Sequence, residues 1–360
     1  MSAQHELVDA PSDAISSLSF SSSGNKLAVS SWDRTISIYQ RSSDDLSQPF
    51  ARETGVQCRA PVLDVCWGAD DESLFSVGLD QDVRYLKGEG DEQIVLSTHE
   101  AACNKVAYSR EQGVLISTSW DGTMHIHDVE KRQFIRVRLA AKPFALSLTA
   151  NRLVVAMAER KVSVYDLHAL KMVVEQTGGS SDAEDILEIA PWQQRESSLK
   201  FMTRAISCMP DGSGFATSSI EGRVGVEWFD PEEQKKTYAF KCHRQTSTMP
   251  ADEDGEEKEV DIVYPVNALA FHPVYGTFAT GGGDGVVALW DAQTKRRIRQ
   301  YPKLGASVAA MDFSQDGKYL AIAVSPGFED GKEDEEMDAS LVKVVVRELS
   351  EGEAKGKPAK

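Results

Sequence analysis

Ile15-Ser-Ser-Leu-Ser-Phe20, Ser23-Gly24, Lys26-Leu-Ala-Val-Ser-Ser-Trp32, Asp33-Arg34 and Thr35-Ile-Ser-Ile-Tyr39 follow one another almost without spacing. The first group alternates apolar and polar side chains, as a half-buried strand does. Ser23-Gly24 breaks it, Lys26–Trp32 reads as a second strand, Asp33-Arg34 as a turn, and Thr35–Tyr39 as a third strand. Asp and Gly tolerate positive φ, so such dipeptides between strands are hairpin signals.

Working outward, the unit recurs. Val62–Trp67, Leu74–Val77 and Val83–Leu86 flank Asp80-Gln81. Asn104–Tyr108, Val114–Trp120 and Thr123–His127 flank Asp121-Gly122. A fourth copy is Ala145–Leu148, Arg152–Met157 and Lys161–Tyr165, with Glu159-Arg160 in place of the Asp turn. A fifth is Ala205–Met209, Gly214–Ser219 and Arg223–Phe229; a sixth is Val266–Phe271, Thr277–Gly281 and Val286–Trp290; a seventh is Ser307–Phe313, Tyr319–Val324 and Leu341–Val346. Short segments between copies, such as Gln93–Leu96, Phe134–Leu139, Tyr238–Phe240 and Arg297–Tyr301, supply a fourth strand. A period of roughly forty to sixty residues is near the span of a four-stranded blade. Such sheets bury their faces by stacking radially around a channel. The chain is therefore predicted to be all-β, a single seven-bladed β-propeller over residues 5–349. The last copy has three strands, and Glu6-Leu7-Val8 is expected to close the ring as its missing outer strand, leaving no open edge there.

Departures from the period are read as excursions: 177–194 before the fifth copy, an acidic insertion over about 245–261, another over about 326–338, and a disordered Lys-rich tail at 350–360. The two insertions hold much of the acidic excess in a chain of net charge −17. That balance argues against a direct nucleic-acid binder, which needs a broad basic face. No run of eighteen apolar residues marks a membrane span. Cys58, Cys66, Cys103, Cys208 and Cys242 are scattered and odd in number, which predicts buried, reduced thiols and no metal.

A catalytic set is not found. His125 and His127 alternate on one strand, and His243 and His272 stand at strand ends without a carboxylate–His–Ser order. Asp33, Asp80, Asp121 and Asp284 occupy turns, where a carboxylate bonds turn backbone. The expectation is a non-enzymatic platform without cofactors; the rival from another class is a propeller enzyme with carboxylates or histidines at the channel mouth. Three cations beside strand-like stretches, Arg204, Arg223 and Lys241, suit a phosphate or carboxylate if they share one rim. Trp32 and Trp120 occupy equivalent places in copies one and three, where other copies need no aromatic, so both are candidate binding residues.

Leu289-Trp290-Asp291, Val164-Tyr165-Asp166, Ile126-His127-Asp128 and Trp228-Phe229-Asp230 at strand ends, with Thr98-His99 where a Gly-His pair often falls, resemble the WD repeat. Ser219-Ile220-Glu221-Gly222-Arg223-Val224, Tyr238-Ala239-Phe240-Lys241-Cys242-His243-Arg244 and Tyr264-Pro265-Val266-Asn267-Ala268 look more narrowly like the spindle-assembly-checkpoint WD-repeat family that partners the Bub kinases. Its near relative is the WD-repeat messenger-RNA export family of the nuclear pore, the alternative reading, which binds a nucleoporin GLEBS segment and RNA. The resemblance implies a nuclear adaptor, at kinetochores in mitosis. It would bind GLEBS segments of a Bub-type kinase and its non-kinase relative, and phosphorylated Met-Glu-Leu-Thr motifs on the kinetochore scaffold. It assigns the phosphothreonine to Arg223 and Lys241, peptide packing on the same face to Trp32 and Trp120, and to Arg204 the pairing of a GLEBS glutamate or support of the same notch. Lys87-Gly88 departs from the expected repeat ending and puts the outer geometry of the second copy in question.

Overall fold

The alternating stretches form seven antiparallel sheets in a computed structural model, which describes residues 3–42, 49–87, 92–177, 185–249, 258–327 and 338–356. From channel to rim, blade 1 is Ile15–Phe20, Lys26–Ser31, Thr35–Arg41 and Phe50–Gln57; blade 2 is Val62–Trp67, Ser73–Gly78, Asp82–Lys87 and Glu92–Thr98. Blade 3 is Cys103–Ser109, Val114–Ser119, Thr123–Asp128 and Gln133–Arg138; blade 4 is Pro143–Leu148, Arg152–Met157, Lys161–Asp166 and Gln193–Glu196. Blade 5 is Thr203–Cys208, Gly214–Ser219, Arg223–Trp228 and Tyr238–Lys241; blade 6 is Val266–Phe271, Phe278–Gly282, Val287–Asp291 and Arg296–Gln300. Blade 7 takes Val308–Phe313, Tyr319–Val324 and Lys343–Glu348 from the end of the chain and Gln4–Glu6 from its beginning. The closing strand thus lies two residues before the expected Glu6–Val8; Leu7 N–H still donates to Val344 O at 2.8 Å.

The core lies between blades. Leu18, Val29, Tyr39 and Phe50 of blade 1 meet Tyr319, Val344 and Val346 of blade 7 in one buried cluster. The inner strands enclose a channel of about 690 Å³. Each inner strand has a register shift at its first residues: Ile15/Ser17, Val62/Asp64, Cys103/Lys105, Pro143/Ala145, Thr203/Ile206, Val266/Ala268 and Val308/Ala310. A bulge re-aims the residue it leaves unpaired, and here the seven bulges ring one mouth of the channel.

Several expectations need correction. Part of the 177–194 excursion is ordered: Ile186–Leu187 adds a fifth strand to blade 3, parallel to its outer strand, and Gln193–Glu196 is the outer strand of blade 4. Before it, Leu167–Thr177 is a helix. Leu167, Leu170 and Val174 bury one face, and Asp166 Oδ1 accepts from Ala169 N–H at 2.9 Å as a cap. The insertion at 245–261 opens and closes as a two-stranded hairpin, Arg244–Met249 with Lys258–Val263. Lys87 pairs with Glu92 and the whole outer strand of blade 2 is in place, so the unusual repeat ending did not disturb it. Residues 178–184, 250–257, 328–337 and 357–360, and Gly88, lie outside the described residues.

The tail at 350–356 is packed, not disordered. Ala354 is buried and its carbonyl accepts from Thr277 Oγ1 at 2.6 Å; Glu353 accepts from Tyr301 Oη at 3.0 Å and Arg347 Nη2 at 3.3 Å. The segment therefore clasps blade 7 to blade 6. Thr277→Val leaves the buried Ala354 carbonyl without that donor, and is expected to lower stability by about 1–2 kcal/mol, read as a lower urea midpoint at unchanged slope.

Candidate peptide-binding face

Antiparallel order fixes which ends of the strands share a face. The turn after each second strand and the connection after each fourth strand lie on one side of the ring; the other two connections lie opposite. Trp32 and Trp120 follow second strands, Arg223 begins a third strand, Lys241 ends a fourth, and Arg204 stands near the start of an inner strand. All five candidates therefore lie on one face, in blades 1, 3 and 5.

Arg223 and Lys241 are direct cross-strand partners. The turn before Arg223 depends on Gly222, which has φ +64°, and a Cβ there would meet the Cys242 carbonyl at 2.7 Å. Arg223 Nε lies 3.1 Å from Glu221 Oε1 without hydrogen-bond alignment. Arg244 Nη2 donates to the Glu221 carbonyl at 2.8 Å and ties this turn to the hairpin base. Lys241 is exposed. Two cations thus converge on one corner, one lodged and one free to swing.

Arg204 does not join that corner. It sits in the blade 5 bulge, two strands inward, roughly 10 Å away at sheet spacing. Its Nε donates to Asn267 Oδ1 at 3.1 Å, and Asn267 Nδ2 donates to Ser307 Oγ at 3.0 Å. The single cation cluster expected from sequence is therefore a pair plus a separate channel-rim arginine.

Trp32 and Trp120 are 44% and 40% exposed, so neither indole is packed away over the channel. Lys142 Nζ stands 4.6 Å from the Trp120 ring centroid. Phe201, Met202 and Ile220 are also exposed, and Ile220 N–H donates to Met202 O at 3.1 Å, so they form an apolar shelf beside Arg223. Sequence reading assigned no role to this shelf; Phe201-Met202 before a strand was the available signal. Apolar surface flanking a cation pair is the composition of a peptide-binding surface.

His99 and His243 sit in buried hydrogen-bond networks. His243 Nδ1 lies 2.8 Å from Asp284 Oδ1 and its Nε2 2.8 Å from Thr280 Oγ1, to which Trp290 Nε1 donates at 3.0 Å. Gly282 makes room, because a Cβ there would reach His243 Nδ1 at 2.3 Å. Blade 3 repeats the device with His99, Asp121 and Ser117. Burial works against the Asp121 charge, but hydrogen bonds from His99 and Thr123 outweigh it and hold the carboxyl well below its usual range. His125 and His127 are buried, and among the described residues no three His, Cys, Asp or Glu side chains converge as metal ligands. All five cysteines are free; burial pushes the Cys58 thiol up to about 11 and those of Cys208 and Cys242 to about 12, so none is a poised nucleophile.

The family model "WD domain, G-beta repeat" matches residues 3–40, 90–128 and 263–291. The mitotic checkpoint protein BUB3.1 of Arabidopsis thaliana is 41% identical over 365 residues, covering 99% of this chain and 96% of that protein. The mitotic checkpoint protein bub3 of Dictyostelium discoideum is 32% identical, covering 96% and 95%. A poly(A)+ RNA export protein of Schizosaccharomyces pombe is 30% identical, covering 89% and 83%. A likeness that runs the length of both chains leaves no blade outside it, and the chain belongs to the Bub3 family of mitotic checkpoint WD-repeat proteins.

Proposed function

We propose that this chain is a non-enzymatic adaptor that holds a GLEBS segment of a Bub-type checkpoint protein on the face bearing Trp32, Trp120 and Arg204. The same face reads phosphorylated Met-Glu-Leu-Thr motifs of a kinetochore scaffold through Arg223 and Lys241. The observation that carries this reading is the cross-strand pairing of Arg223 with Lys241 beside the Phe201–Met202–Ile220 shelf. A phosphothreonine brings close to two negative charges and three acceptor oxygens. A guanidinium presents a planar fork and an ammonium a mobile point charge, so together they take up such a group while the shelf takes apolar neighbours of the Met-Glu-Leu-Thr kind. The protein would then work by location, in the nucleus and at mitotic kinetochores, bringing the Bub-type kinase or its non-kinase relative to a scaffold marked by phosphorylation.

The test is titration of a fluorescent Met-Glu-Leu-Thr peptide, with and without threonine phosphate, into the chain bound to a GLEBS peptide. The phosphorylated peptide is expected to bind at least tenfold more tightly, with an advantage that shrinks as salt rises. Equal affinity for the two forms would remove the reader role. Failure of the GLEBS peptide to bind would remove the adaptor role as well, and would direct the search to the RNA and nucleoporin ligands of the export reading.

A further inference from the structure

Outside blade 3, whose outer strand pairs with Ile186–Leu187, each outer strand leaves one edge unpaired by another described strand, and such an edge is a template for another strand. The outer strand of blade 6, Arg296–Gln300, is the most cationic of the outer strands, with three arginines in five residues. Between Thr294 and Leu304 the chain carries Lys295, Arg296, Arg297, Arg299 and Lys303 and no carboxylate, within a protein of net charge −17. All five side chains are exposed. Glu353 answers Arg299 at 3.5 Å; the other four have no carboxylate at ion-pair distance among the described residues. The outer strands of blades 1 and 2 are mixed or acidic, Phe-Ala-Arg-Glu-Thr-Gly-Val-Gln at 50–57 and Glu-Gln-Ile-Val-Leu-Ser-Thr at 92–98.

The same molecule shows how a basic outer strand is covered. Blade 3 ends in Gln133–Arg138, with Arg136 and Arg138. There Asp185-Ile186-Leu187-Glu188 lies alongside: Ile186 is opposite Arg136, Leu187 is opposite Val137, and Arg138 Nε is 3.5 Å from Glu188 Oε1. The aliphatic pair is half-buried and Leu187 packs on the blade 3–4 core. Blade 6 offers the matching parts, a cationic strand with half-buried Ile298 on the core below it, but stops at four strands.

We propose that the Arg296–Gln300 edge docks an extended acidic segment of a partner protein, an aliphatic pair flanked by carboxylates, which adds as a fifth strand of blade 6. Main-chain pairing supplies affinity and the carboxylate–arginine contacts supply selectivity, the usual division in strand addition. A short acidic peptide suits this edge better than a nucleic acid, because the cations line a single strand and the chain as a whole repels a long polyanion.

The probe is the fluorescent decapeptide Ser-Asp-Ala-Glu-Asp-Ile-Leu-Glu-Ile-Ala, the sequence of residues 181–190, titrated into the full chain. Saturable, salt-sensitive binding is expected, with slower hydrogen exchange at Arg296–Gln300. Arg296→Gln with Arg297→Gln is expected to raise Kd at least tenfold; if that pair fails to fold, Lys295→Gln with Lys303→Gln is expected to raise it severalfold. Three results would each overturn the proposal: equal binding of the peptide with Asn and Gln in place of its acids, protection at Gln133–Arg138 instead of blade 6, or tighter binding of a single-stranded oligonucleotide than of the peptide at this edge.

Discussion

Replacing Arg223 by alanine is expected to weaken phosphothreonine-peptide binding by about 2–5 kcal/mol, the range for truncating one member of a desolvated, hydrogen-bonded charge pair. That corresponds to about thirtyfold or more in Kd. Arg223 is placed to give the larger loss. It is fixed by the Gly222 turn, half-covered, and lies beside Glu221, so its guanidinium is positioned before the ligand arrives. Lys241 is exposed and its ammonium must give up rotamer freedom on binding, so Lys241→Ala is expected to cost less, and the double change less than the sum. A peptide with glutamate for phosphothreonine supplies one charge and two oxygens, and is expected to bind the unchanged protein little better than the unphosphorylated peptide. Titrations of the three peptides against the three variants check this. The variants should bind the unphosphorylated peptide as the unchanged chain does, because the Phe201–Met202–Ile220 shelf is intact. Equal loss for both peptides would mean that the pair shapes the face and does not read the phosphate.

What the sequence made legible was whatever repeats. Asp33, Asp121 and Asp284 each stand in a turn, and the structure uses them there: Asp33 and Asp121 each accept from the Thr two residues on, and Asp284 from Val286 N–H. Blade count and ring closure followed from the same alternation, whereas it left the sharing of one rim by Arg223 and Lys241 open. What it concealed was set by contacts between distant segments. Nothing local to Arg204 marks it as a bulge residue turned toward Asn267 of the next blade. The two-residue strand Ile186–Leu187 is too short for a period, and is held by an outer strand fifty residues earlier in the chain. The tail, polar by composition, is ordered because Arg347 and Thr277 need Glu353 and the Ala354 carbonyl as partners. The helix Leu167–Thr177 is different: its apolar spacing was present in the sequence, but a reading tuned to strands passed over it.

Mild acid should destabilise this propeller, because His125 and His127 are folded in their neutral form. His125 stacks on His99 with ring centroids 3.5 Å apart, and Ser97 Oγ lies 2.9 Å from His125 Nδ1 and 3.2 Å from His127 Nε2. Phe134 covers both imidazoles. Burial pushes the His127 pKa down to about 3, and burial together with the neighbouring His99, His127 and Arg136 pushes His125 lower still, against a small opposing pull from Asp121. In the unfolded chain both protonate near pH 6.5. Unfolding therefore takes up protons below that pH, and stability falls as pH drops toward the folded values. Each histidine contributes about 1.4 kcal/mol per pH unit once the unfolded form is mostly protonated, so the two together account for a loss of about 4 kcal/mol between pH 7.5 and 5. His272, also lowered by burial, adds in the same sense. Over this window unfolded Asp and Glu remain ionised, but the buried Asp312 carboxyl, pushed up to about 7 by burial, takes up a proton in the folded chain and offsets part of that loss. The measurement is the urea midpoint at pH 7.5, 6.5, 5.5 and 5.0 for the chain and for His125→Gln with His127→Gln. The chain should show a midpoint falling below pH 6.5, and the double variant a much shallower fall or none, whatever its stability at pH 7.5. Because the slope and not the absolute midpoint carries the result, packing lost in the variant does not obscure it; equal slopes would mean that the imidazoles are solvated or charged within the folded ring.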